Sequence, residues 1–188
     1  MADDVFLAAH HEAGHAVAAT RRGYAVTEIV IDPERGFTEY AAIPHGDDHA
    51  FIVYAGPWAH ARALWMSPTA DSDARDEDGV RFSDRVAAQM QNNIADWKTY
   101  EGIMPDGDPA AVDAAASVRT QALHGELFDA VVQKDIAQPN AEWNAELASA
   151  WTDIQDLSRH LIAGDDVIQV GTSTLHSIGT KYWAILDA

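Results

Sequence analysis

The chain has 188 residues, 47% of them hydrophobic and 22% charged, the balance of one ordinary globular domain with its own core. Asp and Glu number 30 against 12 Lys and Arg, and the resulting net charge of −18 repels phosphate backbones and anionic membrane surfaces. Cysteine is absent, which excludes disulfide frameworks, thiolate nucleophiles, iron–sulfur clusters and Cys-held zinc, so any metal must be held by His, Asp or Glu.

The apolar stretches fall short of the eighteen or so residues needed to span a bilayer. Met1-Ala2-Asp3-Asp4 has neither the basic start nor the apolar stretch of a signal peptide. A cytoplasmic protein without nucleic-acid or membrane partners is the expectation.

Asp3 or Asp4 can cap a first helix, which Ala-rich sequence carries to Arg21-Arg22 and Gly23 ends. Ala25 to Asp32 alternates with a β-branched bias and stops at Pro33, the pattern of a strand. Gly36 marks a turn, and Phe37 to Ile43 reads as a second strand, completing a hairpin. His45 to His49 is a polar loop, followed by a helical pattern from Ala50 to Met66 in which Gly56-Pro57 predicts a kink or break. Ser67 to Asp78 reads as an exposed acidic loop. Val80 to Tyr100 has a helical period with an interruption at Asn92-Asn93. After a loop at Pro105 to Asp108, two longer helices are expected over Pro109–Ile136 and Pro139–Ala163, and the last twenty-odd residues carry no clear period. The expected fold is mainly α with a small β-hairpin, an α+β single domain over residues 1–188.

The chemistry lies in the first helix. His11-Glu12-Ala13-Gly14-His15 is an H-E-x-x-H sequence. Residues four apart share a helix face, so both imidazoles can reach one ion, and Zn²⁺ readily accepts neutral histidine nitrogen. Glu12 stands beside the first ligand, where it can take a proton from a water activated by the metal. A glycine inside a helix costs roughly 1 kcal/mol against alanine, so Gly14 points to the close approach of another backbone. His10 falls about 100° around the helix from His11 and should not share the ion.

His11-Glu12-Ala13-Gly14-His15-Ala16-Val17 resembles the zinc motif of the FtsH-type peptidases, the proteolytic module of membrane-bound ATP-dependent zinc proteases. Val26 to Pro33 resembles the strand that follows the motif there, and Ala55-Gly56-Pro57-Trp58-Ala59 resembles the later Ala-Gly-Arg helix. Trp151, Ile154, Leu157 and Leu161, followed by Gly164 to Val167, are similar to the family's C-terminal helix. The resemblance implies a helical zinc-peptidase domain hydrolysing peptide bonds in a peptide or protein substrate, with Zn²⁺ on His11 and His15 and Glu12 as catalytic base. The chain departs from the family in lacking an ATPase module and a membrane helix, and in carrying His60 where the family has Glu. A non-catalytic zinc-binding regulatory or interaction protein derived from the same fold is the alternative.

The resemblance also implies a third ligand, an Asp at a helix start. Asp96 in Ala95-Asp96-Trp97 fits best in form, because it follows the break at Asn92-Asn93. Asp84 is the runner-up, ahead of Asp78, Asp76 and His60, while the rest of the acidic segment, including Asp71 and Asp73, reads as solvated charge. His45 and His49 read as a surface pair, and His124, His160 and His176 as isolated surface or hydrogen-bonded residues. Trp58 and Trp97 are candidates to line a substrate pocket. Phe37 to Ile43 would offer a strand edge for an extended peptide.

Overall fold

In the computed structural model, which describes residues 2–32, 36–42, 44–65, 67, 69–70, 73–93, 96 and 141–184, the first element is helix α1 (Ala2–Arg21). Its inner face is built of small residues, with Ala9, Ala13, Ala16, Ala18 and Ala19 fully buried. Gly23, at φ 81°, ends it: the Gly23 N–H bonds the Thr20 carbonyl and the Tyr24 N–H bonds that of Ala19. This paired termination needs a left-handed residue, which glycine supplies without steric cost.

The expected hairpin is present as β1 (Val26–Val30) and β2 (Phe37–Tyr40), antiparallel, with a register shift between Val26 and Glu28. Helix α2 (Gly46–Leu64) begins before Ala50 and takes in His49, so the polar loop is shorter than the sequence suggests. It also runs through Gly56-Pro57 as one helix, so of the expected kink or break the break does not occur. Proline removes one N–H from the helical ladder. Here ten neighbouring residues of the same helix, from Ala50 to Ala59, are buried, and packing holds the backbone where propensity alone would release it.

Helix α3 (Phe82–Asn92) ends at Asn93, where the sequence marks an interruption. The helix expected over 139–163 is two, α4 (Ala141–Ser149) and α5 (Trp151–Ala163). Between them the buried Ala150 donates to both the Glu146 and Leu147 carbonyls, and the Ser149 hydroxyl bonds the Glu146 carbonyl. Gly164 closes α5 in the left-handed conformation, φ 72°.

The C-terminal residues form a meander of β3 (Val167–Val170), β4 (Ser173–Ile178) and β5 (Lys181–Ala184). All the strands join one antiparallel sheet of order β2-β1-β5-β4-β3. Among the described residues the fold is mixed α+β, as expected, with a five-stranded sheet that extends the expected hairpin. Alternate residues Ile168, Val170, Leu175 and Tyr182 are buried, whereas Val167, Ile178 and Trp183 lie exposed on the other face. Those exposed apolar side chains blur the alternation by which a half-buried strand is recognised. The loop at 105–108 and the helix expected over 109–136 lie outside the described residues. Among the described residues no helix is long and apolar enough to cross a membrane.

Helix α1 is central, packed on α2, α5 and the sheet. Its crossing with α2 is close: a Cβ at Gly14 would stand 2.5 Å from the Ala55 carbonyl oxygen and 2.7 Å from the Ala59 Cβ. Gly14→Ala would gain roughly 1 kcal/mol of helix propensity, but overpacking a fixed crossing costs about 1–3 kcal/mol. The clash involves backbone, so the variant should unfold at a lower denaturant concentration than wild type in an equilibrium urea titration.

Candidate metal centre

Four-residue spacing brings His11 and His15 together on the buried side of α1, each 7% exposed, with their Nε2 atoms 3.1 Å apart. The Nδ1–H of His15 donates to the Ile52 carbonyl of α2 at 2.8 Å. That bond fixes the ring and turns Nε2 toward its neighbours, the arrangement that prepares an imidazole to hold a metal. A Cβ at Gly56 would lie 2.3 Å from His15 Nε2 and 2.8 Å from His11 Nε2. Glycine there is what leaves room for both rings. His10, the next residue along, faces elsewhere: its Nδ1–H donates to the Phe6 carbonyl and its Nε2 lies 3.1 Å from the Ser158 hydroxyl of α5.

Asp96 reaches the pair from beyond α3. Its Oδ2 is 2.8 Å from His11 Nε2 and 3.4 Å from His15 Nε2. Among the described residues this is the group of three whose ligand atoms converge as a metal site requires. Ligands about 2.0–2.1 Å from a tetrahedral zinc stand roughly 3.3 Å from one another, so the triangle has the right size. Its hydrogen-bond demands also fit an ion better than a proton. His11 Nε2 faces an acceptor in Asp96, the His15 nitrogen and a donor, the Asn93 amide at 3.2 Å. One ring nitrogen is either a donor or an acceptor, and a cation shared by the three groups resolves the conflict.

No family model, curated protein or solved structure matches the chain.

Glu12 is 3% exposed, beside the triad. The Thr38 hydroxyl of β2 donates to Glu12 Oε2 at 2.8 Å, while Oε1 lies 2.8 Å from where a Cβ would stand at Gly36. The hairpin thus holds one carboxylate oxygen through Thr38 and, with glycine at 36, leaves room for the other. Burial raises the Glu12 pKa, against the opposing pull of His11, His15 and Thr38. Tyr40 alternates with Thr38 on the same face of β2. Burial, reinforced by the Glu12 and Asp96 charges, pushes its phenol far up, so it stays protonated.

Burial also opposes charge on His15, but Asp96, Glu12 and the Ile52 carbonyl prevail and raise its pKa to about 9. Against its own burial, Asp96 is held well below the usual carboxylate range by His15 and His11.

The other candidate ligands stand apart. Asp84 is paired with Arg81 at the surface, and Asp76 accepts from Arg85 and from the Val80 and Asp78 N–H groups of its own turn. Asp73 and Asp78 are exposed. The His60 ring sits edge-on to His11 with centroids 6.2 Å apart, and burial followed by the two neighbouring histidines lowers its pKa to about 4. His45 is the residue before α2 and His49 lies in its first turn. His160 bonds Asp165 near the end of α5, and His176 is on β4. Trp58 is a fully buried core residue against Phe82 and Trp151, not a pocket wall. Asp71, Trp97 and His124 lie outside the described residues. Sequence reasoning missed Thr38, Asn93 and the Ile52 carbonyl. Thr38 could have been found from strand alternation opposite Glu12, whereas a backbone carbonyl leaves no mark in the sequence.

Two outcomes follow from this geometry. Asp96→Ala should weaken Zn²⁺ binding by roughly 100-fold or more, beyond the 10–100-fold typical of losing an outer hydrogen-bond partner, while Asp84→Ala and Asp76→Ala stay near wild type. Competition against a zinc chelator reads all three. In the metal-free protein, the raised His15 pKa contributes stability that is complete below about 6.5 and is lost as pH rises through about 9. The lowered Asp96 pKa contributes stability that is present above about 3.8 and is lost in stronger acid. Thermal unfolding in chelator should therefore be highest between these limits, with the alkaline loss reduced in Asp96→Asn.

Proposed function

We propose that the protein is a zinc-dependent peptidase that hydrolyses peptide bonds without ATP. The observation that carries this reading is the buried Glu12 carboxylate, held by Thr38 beside a His11–His15–Asp96 triad of ligand size. Two imidazoles and one carboxylate are a donor set of catalytic zinc sites, in which a fourth position stays open. A purely structural centre has no use for a further carboxylate buried next to it at an energetic cost. The resemblance of His11 to Val17 to the FtsH-type motif points the same way.

When bound, Zn²⁺ supplies Lewis-acid activation of water and of the scissile carbonyl. The protein's own groups do the rest. Glu12 accepts the proton of the attacking water and passes it to the departing amine nitrogen. Its raised pKa brings it closer to neutrality, where a general base works best. Thr38 keeps one oxygen in place, leaving the other to accept. Strand β2 is the outermost on its side of the sheet, and an extended peptide can pair along such an edge within reach of Glu12.

Glu12→Gln should retain metal and lose hydrolysis by about 10²–10⁴-fold, the usual contribution of a general base. Metal content by elemental analysis and cleavage of casein or a peptide library, with and without chelator, check it. Cleavage by the Gln variant at the wild-type rate, or wild-type cleavage indifferent to the chelator, would overturn the reading.

A further inference from the structure

Asn93 closes α3 and is bonded to Asp96. Its own N–H bonds the Gln89 carbonyl as the last link of α3, and its side-chain Oδ1 accepts the Asp96 N–H at 3.3 Å. Asp96, three residues on, is helical. A side-chain oxygen that accepts the N–H three residues on makes the hydrogen bond of an N-cap. In a capping box an acidic residue at that third position reaches back to the cap's N–H. Here the cap's N–H is already used by Gln89, and the Asp96 carboxylate is turned instead to His11 and His15.

Because Oδ1 must accept from the backbone, the orientation of the amide is settled and Nδ2 points into the centre, 3.2 Å from His11 Nε2. A ligand nitrogen bound to an ion has no lone pair left for that N–H. The amide then faces the centre with a hydrogen to give and no acceptor on His11.

We infer that Asn93 has two separable roles: through Oδ1 it positions Asp96 as a ligand, and through Nδ2–H it donates to the oxygen of the scissile carbonyl. The second role rests on the peptidase reading above. As water adds to the carbonyl carbon, the C=O π pair moves onto oxygen, and an N–H held in advance next to that oxygen stabilises the charge that develops.

Asn93→Ser and Asn93→Ala separate the roles. Serine keeps a good cap for the Asp96 N–H but is too short to reach the centre, and alanine removes both functions. For Asn93→Ser, Zn²⁺ affinity by chelator competition should stay within about threefold of wild type, because the cap persists. Its kcat on a peptide that wild type cleaves should fall by roughly 10²–10³-fold with KM little changed, as when one oxyanion donor is removed. Its affinity for a phosphinic peptide, which mimics the tetrahedral species, should fall in parallel. Asn93→Ala should show the same kinetic loss together with weakened Zn²⁺ binding.

An Asn93→Ser enzyme with kcat and phosphinic-peptide affinity near wild type overturns the donor role. Unchanged zinc affinity in Asn93→Ala, or equal weakening in both variants, overturns the division between Oδ1 and Nδ2. A wild-type protein that binds zinc but neither cleaves nor binds the phosphinic peptide sinks the peptidase reading and the donor role with it. Zinc affinity alone then still decides the positioning role.

Discussion

The close crossing of α1 and α2 is the constraint on which the centre depends. Two glycines make it possible, each standing where a methyl group would strike the opposite helix: Gly14 against the Ala55 carbonyl and Gly56 against the His15 ring. A helix-interior glycine costs roughly 1 kcal/mol relative to alanine, and this pair carries that cost so that backbone and imidazole can meet. At any wider separation His15 would lose the Ile52 carbonyl, and with it the fixed direction of its free nitrogen. The flanking alanines at 13, 55 and 59, all buried, keep the contact free of side chains that would prise it open.

Holding two carboxylates, Glu12 buried and Asp96 half-buried, within one small volume is the second problem the structure solves. Glu12 and Asp96 each raise the energy of the other's charged form, visible in how Asp96 adds to the upward push on Glu12. The two imidazoles offset part of this, and a divalent cation would offset the rest. Each carboxylate also has a neutral support. Glu12 takes the Thr38 hydroxyl, while the backbone N–H of Asp96 is held by Asn93. The supports come from separate elements, the hairpin and the end of α3, so the centre is framed by parts of the chain distant in sequence.

How much of this was legible in the sequence depends on the range of the interaction. His11, Glu12 and His15 are readable because their relation is one turn of one helix. Asp96 is readable only through the family resemblance, which asks for an Asp at a helix start, and through the break at Asn92-Asn93 before it. Gly14 announces a close approach without naming its partner. The continuity of α2 through Pro57 was not legible, because the burial that sustains it is tertiary and proline's effect is local. Nor were β3 to β5: strands of four to six residues with Val167, Ile178 and Trp183 exposed give too few alternations to establish a period. The break at Ala150 has no glycine or proline to mark it.

The sheet order carries a consequence for how the molecule comes together. Strand β1 pairs on one side with its sequence neighbour β2 and on the other with β5, so that Glu28 meets Trp183 and Val30 meets Lys181. The β1–β2 pairing is local, whereas the second edge of β1 is closed only by a segment far along the chain. Closing so long a loop is entropically slow, and an open edge is the part of a nascent sheet most prone to pair with another chain. Among the described residues, the strand latest in sequence is therefore the one that seals the sheet at its middle.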